Sequence, residues 1–222
     1  MPVAQNAAIE VTAFEWVPDF AKGIVRDLRV RWALEEMGLP YRVRFIRPVG
    51  PKPESYVKEQ PFEQVPVYRD EDVHLFESGA ILVYLGEKDE RLLPRDPQGK
   101  ARAIGWAFAA LNSVEPALQD FGLISSIFAD REWAKLRKPD AEKLARLKIK
   151  RLSDWMGDSE WLEDRFTIGD IMMVSVLRIV EPFGLVNPHT NVRAYIDRAT
   201  ARPAFQAALK AQLAGFTGLP PQ

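Results

Sequence analysis

The first part of the chain alternates short apolar runs with one longer helical stripe. Residues 9–14 are rich in β-branched and aromatic side chains, which predicts a strand. A loop containing Pro18 follows, and then a helix that ends near the Gly-Leu-Pro of residues 38–40. Residues 41–46 alternate apolar side chains with arginines and predict a second strand. The chain therefore begins with a β-α-β unit.

The next segment is interrupted by prolines and then resumes as a hairpin. Three prolines within residues 48–53 predict an irregular loop. Residues 65–68 and 73–76 predict two short strands, separated by the acidic turn Arg-Asp-Glu-Asp. Residues 78–85 carry apolar side chains on one face and predict a closing helix. The order β-α-β, then β-β-α, is the thioredoxin-like arrangement.

From Gln98 onward the apolar residues recur at helical spacing, which predicts an all-helical region. Pro116 lies inside the first of these helices and should kink or break it. Near the start of a later helix, Thr167 is followed three residues on by Asp170, a spacing typical of a structural capping box.

The balance of charge changes where the apolar pattern changes. Residues 1–90 carry 11 basic and 16 acidic side chains, whereas the remainder carries 19 and 15. Residues 91–97 lie between the two parts and contain two prolines, which predicts a linker. The expected fold is α+β: an N-terminal thioredoxin-like domain over residues 1–90, a linker over residues 91–97, and an all-helical C-terminal domain over residues 98–222.

Composition narrows the possible partners. With 222 residues and a formal net charge of -1, the chain has no strong attraction for nucleic acid or an anionic membrane. It has no cysteine, so disulfides, thiolate metal sites and a cysteine nucleophile are excluded. His74 and His189 stand far apart without ligand-spaced acids, and no metal site is expected. Neither a signal peptide nor a membrane span is predicted, so we expect a cytoplasmic protein with a small ligand.

Two short motifs suggest a site for an amino-acid head group. Pro66 interrupts a predicted strand, and a cis Val65–Pro66 bond would present the backbone of Val65 to a peptide-like ligand. Ser78 begins a helix whose N–H groups attract a carboxylate, and Glu77 can accept from an ammonium group. The alternative is structural: Pro66 ends an edge strand, and Glu77 and Ser78 only begin a helix.

Gln64-Val65-Pro66-Val67, followed by Glu77-Ser78, resembles the glutathione-binding core of the cytosolic glutathione S-transferase family. Further segments resemble that family's first helix and second strand, its helix capping box and the start of its last helix: residues 29–41, 166–171 and 201–205. The resemblance covers roughly residues 9–213. It implies an enzyme that transfers the thiolate of glutathione to a hydrophobic electrophile, forms a homodimer, and needs neither a metal nor a further cofactor. It also implies a set of glutathione-binding residues: Lys52, Gln64, Val65, Pro66, Glu77 and Ser78.

The loop after the first strand departs from the family's pattern. The family places an activating Ser, Tyr or Cys there, but residues 15–27 contain none of the three. Trp16, Lys22 and Arg26 are the candidate catalytic residues, because each carries an N–H donor or a positive charge that favours a thiolate. Alternatively, Lys22 is solvated and Arg26 forms a structural ion pair.

An apolar pocket for the electrophile is expected to include Phe20, Trp106 and Asn112, with Asn112 as a polar contact. The alternative is that these aromatic residues belong to the core. Two other functions remain open for the whole chain. One is a non-catalytic protein of the same fold that binds glutathione conjugates or apolar ligands, and the other is a glutathione-dependent isomerase or dehalogenase.

Overall fold

The structure, a computed structural model, describes residues 3–220 and contains four strands and nine α-helices within that range. The strands are β1 (Ile9–Phe14), β2 (Tyr41–Ile46), β3 (Val67–Arg69) and β4 (His74–Phe76). The helices are α1 (Asp27–Met37), α2 (Glu54–Glu59), α3 (Ser78–Lys88), α4 (Pro97–Phe108), α5 (Glu115–Ser125), α6 (Glu132–Met156), α7 (Ile168–Leu177), α8 (Thr190–Thr200) and α9 (Pro203–Ala214).

The four strands form one mixed sheet in the order β2-β1-β3-β4. β1 is parallel to β2, with Ile9 opposite Tyr41 and Phe14 opposite Ile46. β3 runs antiparallel to both β1 and β4. This topology confirms the predicted thioredoxin-like arrangement, and the bounds of β1 and β2 are those expected from the sequence.

Helix α1 ends at Gly38, as predicted. Gly38 has a φ of +69°, a left-handed conformation that glycine adopts without a steric penalty. The N–H groups of Gly38 and Leu39 donate to the carbonyls of Glu35 and Leu34, at 3.2 and 3.0 Å. These bonds satisfy carbonyl groups of the last turn and redirect the chain into β2.

The short helix α2 was not expected. Its sequence has no extended apolar stripe, and it follows immediately on the prolines that predict an irregular loop. The carbonyl of Pro53 accepts from the N–H groups of Tyr56 and Val57, at 2.8 and 3.1 Å, and so begins the helix. Tyr56 is buried, which anchors the helix although it has only six residues.

The chain divides into two compact units differently from the expected boundaries. One unit is Met1–Asp89 with Arg202–Gln222, and the other is Glu90–Ala201. The last helix therefore belongs with the N-terminal unit rather than with the other helices. The reason is packing: Phe205 of α9 meets Trp32 of α1 edge to face, with 4.8 Å between ring centroids.

The expected linker is packed within the second unit. Leu92 and Leu93 are buried, and the carbonyl of Leu92 accepts from the N–H of Ile168 at 2.9 Å. Asp96 caps α4 by accepting from the N–H of Gly99 at 2.7 Å. The prolines of this segment thus shape a short connection that ends directly in a helix cap.

The second unit is helical and is built around α7, whose ten residues are all buried. Where Trp106 of α4 faces Gly169 of α7, a Cβ on the glycine would lie 2.7 Å from the Trp106 Cβ, so the helices pack closely there. The chain is π-helical over Ala109–Val114, and α5 then places Pro116 in its first turn. The predicted interruption at Pro116 is confirmed, since α4 ends before this proline and α5 begins with it in the first turn. At that position the missing N–H of proline costs no helical hydrogen bond.

The predicted capping box is present at the start of α7. The Thr167 hydroxyl accepts from the N–H of Gly169 at 3.2 Å, and the Asp170 carboxylate accepts from the N–H of Thr167 at 2.8 Å. Asp170 also accepts from the Tyr195 hydroxyl at 2.9 Å. Burial raises the pKa of Asp170 to about 6. The role of this pair is structural.

Candidate functional site

The segment before β3 (residues 60–66, here called the Pro66 loop) is held from beneath by a chain of hydrogen bonds. The hydroxyl of Thr12, buried in β1, accepts from the N–H of Val67 at 2.7 Å and lies 3.2 Å from the Tyr56 hydroxyl. Tyr56 in turn donates to the carbonyl of Gln64 at 2.6 Å. Since that bond uses the only hydroxyl proton of Tyr56, Thr12 donates to Tyr56. Three bonds therefore fix the Pro66 loop to the centre of the sheet.

The Val65–Pro66 bond is cis, as predicted. The backbone N–H and C=O of Val65 make no hydrogen bond to any part of residues 3–220. The side chain of Gln64 is exposed, whereas the side chains of Val65 and Pro66 are buried. The Pro66 loop thus offers a backbone donor and acceptor of the kind that an extended peptide can pair with.

Helix α3 follows β4 at the edge of the sheet where the Pro66 loop enters β3, because Val67 pairs with Phe76, and the N-terminus of α3 is open. Within the described chain, the N–H groups of Ser78, Gly79 and Ala80 have no acceptor, and the first backbone bond runs from Ile81 to the carbonyl of Glu77 at 3.0 Å. These N–H groups and the helix dipole favour a bound carboxylate. The start of α3 therefore has the chemistry expected for one end of an amino-acid ligand.

Glu77 is exposed and has a φ of +69°, an unfavourable conformation for a residue with a side chain. Such strain costs on the order of 1–3 kcal/mol and is concentrated at functional sites. In the adjacent loop, Glu63 also has a positive φ, of +56°. Two strained acidic residues therefore flank the region where the sequence predicts a site.

Sequence reasoning missed the contribution of Arg29. This residue of α1 is buried, and its Nη1 donates to the Ser78 hydroxyl at 3.2 Å. The guanidinium adds positive charge beneath the α3 N-terminus, which further favours an anion there. The only signal in the sequence was an arginine within the apolar stretch of a predicted helix. Thr12 and Tyr56 were missed as well, because a hydroxyl in a strand and one in a proline-rich segment carry no recognisable spacing.

Arg26 is the catalytic candidate that the structure brings to the predicted binding residues. It lies at the N-terminal end of α1, half-buried, and its Nη1 donates to the side-chain carbonyl of Gln64 at 3.3 Å. Its neighbour Asp27 is turned away into the core, where it accepts from Arg31 and Gln212. The first turn of α1 therefore presents one charge, that of Arg26, toward the Pro66 loop.

The other two catalytic candidates differ in the availability of their donors. Lys22 forms a partly exposed ion pair with Asp19, with 2.7 Å between Nζ and Oδ1. This partner holds the pKa of Asp19 below its usual range. Trp16 is half-buried, and its indole N–H has no hydrogen-bond partner in the described part of the chain. Trp16 thus retains a free donor, whereas Lys22 is engaged.

The remaining predicted site residues are Lys52 and Phe20 in the first unit and Trp106 and Asn112 in the second. Lys52 is half-buried and donates to the carbonyl of Gly50 at 3.1 Å, and Phe20 is 47% exposed. In the second unit, Trp106 donates to Glu163 at 2.6 Å and packs on Trp155, with 5.6 Å between ring centroids. Asn112 is exposed in the π-helical segment, an irregularity that often marks functional positions.

Residues 3–220 contain no group of three or more His, Asp or Glu side chains placed to hold a metal ion. None of the helices described there combines the length and apolar character that a membrane crossing requires.

Comparison with known proteins identifies the domain that carries this site. Residues 21–87 match the family model described as the N-terminal domain of glutathione S-transferase. The chain is 27% identical over 204 residues to glutathione S-transferase-like protein OpS6 from Beauveria bassiana, covering 84% of this chain and 91% of that protein. It is 25% identical over 164 residues to glutathione S-transferase F13 from Arabidopsis thaliana, covering 68% and 74%.

A solved structure shows the same fold. The glutathione transferase from Burkholderia graminis, determined with two glutathione molecules bound per subunit, superposes with a TM-score of 0.81 at 24% identity, covering 95% of this chain and 90% of that one. Similarity at this level of identity establishes the fold. The match to a family model covers residues 21–87, and over the rest of the chain the similarity to this solved structure is one of fold.

Proposed function

We propose that this protein binds glutathione and transfers its thiolate to a hydrophobic electrophile. The observation that carries the proposal is a pair of open backbone features in the N-terminal unit: the backbone of Val65 makes no hydrogen bond within residues 3–220, and the first N–H groups of α3 have no acceptor there. Relatives named as glutathione transferases, and a solved structure of this fold that holds glutathione, support the same ligand.

Each polar part of glutathione has a complementary group in this arrangement. The γ-glutamyl carboxylate accepts from the N–H groups at the start of α3 and from the Ser78 hydroxyl, and the ammonium donates to Glu77. The cysteinyl part pairs with the backbone of Val65, and Gln64 and Pro66 form the adjoining wall. Lys52 is the candidate for the glycine carboxylate, and its ammonium group now donates to the carbonyl of Gly50 at 3.1 Å.

The chemistry begins with the thiol of glutathione, because the chain has no cysteine of its own. Arg26 and the free indole N–H of Trp16 favour the thiolate, so that the thiol proton passes to solvent and its pKa falls below the free value of about 8.5. The sulfur then attacks an electrophilic carbon, a carbon–sulfur bond forms, and the leaving group departs with its electron pair. Phe20, Trp106 and Asn112 remain the predicted contacts of the electrophile.

A second candidate function is a non-catalytic protein that binds glutathione conjugates. The observation that favours it is the first loop, residues 15–27, which contains no hydroxyl or thiol and in which Lys22 is paired with Asp19. Both functions require glutathione binding, and they differ only in whether the bound thiol is activated.

The proposal includes a homodimer. Helix α6 carries a row of apolar side chains that are exposed in the single chain, namely Trp133, Leu136, Leu144, Leu147 and Trp155. A row of this kind on one helix is typical of a protein interface. Sedimentation of the purified chain at micromolar concentration tests this part of the proposal, and a monomer there would contradict it.

Calorimetry and a conjugation assay test the central proposal together. Titration with glutathione should show one site per chain, and S-methylglutathione should bind as well because the sulfur is not the main anchor. An activated aryl chloride should then be conjugated faster with the protein than without it. Binding without turnover over a panel of electrophiles would favour the conjugate-binding protein, and an absence of binding would contradict both functions.

A further inference from the structure

The start of α1 is not capped by a side chain of its own. Its N-cap residue is Arg26, whose side chain makes no capping hydrogen bond within residues 3–220 and donates instead to Gln64 at 3.3 Å. Helices commonly begin with Ser, Thr, Asp or Asn, because the side-chain oxygen of these residues accepts from the first N–H groups. The position of Arg26 must therefore be fixed by groups from another part of the fold.

Gln212 of α9 supplies such a group from beneath the helix. Its side chain is 1% exposed, and its Nε2 donates to the carbonyl of Val25 at 3.2 Å and to Asp27 Oδ1 at 2.7 Å. The orientation of the amide follows from these partners, because both are oxygens and only the NH₂ group can donate to them. Val25 and Asp27 directly precede and follow Arg26, so one buried side chain holds both of its neighbours.

The chain beyond α9 contacts the other end of the same loop. The N–H of Gly218 donates to the carbonyl of Glu15 at 2.9 Å, and Glu15 directly precedes the catalytic candidate Trp16. The first loop, residues 15–27, is therefore held at its start by Gly218 and at its end by Gln212. We call the segment that contains both of these residues, residues 212–218, the C-terminal brace.

Helix α9 is attached to α1 by a separate set of contacts at its other end. Arg202 donates to Glu36 through Nε and Nη2, at 2.6 and 2.8 Å, and Phe205 packs against Trp32. These contacts hold the two helices together without Gln212. Moreover, the Oε1 of Gln212 is buried and has no partner in the described chain, which costs stability. An apolar side chain would serve helix packing better, so a glutamine at this position indicates a role in directing the first loop.

We propose that the C-terminal brace positions the first loop, with Gln212 holding Arg26 toward the Pro66 loop. Gln212 is a positioning residue that acts through Arg26. The inference rests on the proposed function, because it gives the brace a part in the activation of bound glutathione. Without the Gln212 amide, the first turn of α1 can shift and Arg26 spends less time beside Gln64. The pKa of the bound thiol then rises toward its free value, because the positive charge that favours the thiolate is less well placed.

The thiolate absorbance of the glutathione complex, titrated from acid to base, tests the inference. Gln212→Met removes the amide, and Gly218→Pro removes the N–H that bonds to Glu15. Arg202→Met is the matched control, because it detaches the opposite end of α9 from α1. We expect Gln212→Met to raise the midpoint by about half the shift that Arg26→Met causes, Gly218→Pro to raise it less, and Arg202→Met to leave it unchanged. In the Arg26→Met background, Gln212→Met should add no further shift.

The Arg26 side chain gives a second measurement that needs no ligand. Its Nε–Hε signal in the ¹⁵N-labelled protein is assigned by its absence from Arg26→Met, and the heteronuclear NOE reports how ordered the side chain is. We expect an ordered signal in the unaltered protein and in Arg202→Met, and a mobile one in Gln212→Met. An equally ordered signal in Gln212→Met, or equal midpoint shifts in Gln212→Met and Arg202→Met, would overturn the inference.

Two further outcomes separate this inference from the proposed function. Thermal unfolding shows whether each variant keeps its fold, and if Gln212→Met unfolds, an unchanged midpoint in Gly218→Pro would overturn the role of the brace. A bound thiol that titrates as in free glutathione in the unaltered protein would contradict thiol activation itself. The Arg26 signal would then still decide whether Gln212 positions that residue, since it is recorded without glutathione.

Discussion

The Pro66 loop and the first loop, residues 15–27, lie in the same unit but are held very differently. The Pro66 loop is tied to the centre of the sheet by the three hydrogen bonds through Thr12 and Tyr56. The first loop reaches the same region through the longer, solvent-facing contact of Arg26 with Gln64 at 3.3 Å. The proposed binding geometry is thus built into the buried framework, whereas the proposed thiol activation depends on side chains at its surface.

The largest expected effect is a loss of glutathione affinity when the residues at the start of α3 are replaced. Replacing Glu77 and Ser78 together by alanine should weaken glutathione about thirtyfold, or ~2 kcal/mol, because charge-assisted hydrogen bonds to both ends of the amino-acid group are lost. Calorimetry measures the change. The matched control is Glu71→Ala, an exposed acid in the β3–β4 turn, which should leave the affinity unaltered. Unchanged binding in the double variant would mean that the ligand does not use the start of α3.

A smaller loss of glutathione affinity is expected when the hydrogen bond from Tyr56 to the Pro66 loop is removed. Tyr56→Phe removes the donor to the Gln64 carbonyl and should lower the free energy of unfolding by about 1–2 kcal/mol and the glutathione affinity severalfold. Tyr84→Phe is a useful comparison, because Tyr84 donates to Asp70 at 2.8 Å, away from the Pro66 loop. It should reduce stability but leave affinity intact. If both variants lose affinity equally, the Thr12–Tyr56 chain has no special role in binding.

The smallest effect on affinity is expected in the first loop. Arg26→Met should weaken glutathione about two- to threefold, since one exposed contact is worth less than about 1 kcal/mol. Lys22→Met should change affinity less than twofold, because Lys22 is already engaged with Asp19. Calorimetry of the two variants side by side measures the difference. A larger loss from Lys22→Met than from Arg26→Met would reverse the assignment of roles.

The sequence predicted those parts of the structure that follow local rules. The strands of the β-α-β unit, the end of α1 at Gly38 and the capping box of Thr167 and Asp170 each depend on neighbouring residues, and each was found. The grouping of α9 with α1 was not predicted, because it rests on a contact between Trp32 and Phe205 that are far apart in sequence.

The same distinction applies to the site. The candidate residues of the Pro66 loop and the start of α3 could be predicted from the sequence because proline, serine and glutamate have position-specific roles. The support from Thr12, Tyr56 and Arg29 comes from three separate elements, and only the folded chain brings these side chains together. The choice among Trp16, Lys22 and Arg26 likewise depends on which donors the fold leaves available.

The most direct test of the account is the pKa of the bound glutathione thiol, followed by ultraviolet absorbance of the thiolate as the complex is titrated from acid to base. We expect a midpoint well below the free value of about 8.5, and a higher midpoint in Arg26→Met than in the unaltered protein or in Lys22→Met. A midpoint equal to that of free glutathione in the unaltered protein would contradict thiol activation and leave a protein that only binds.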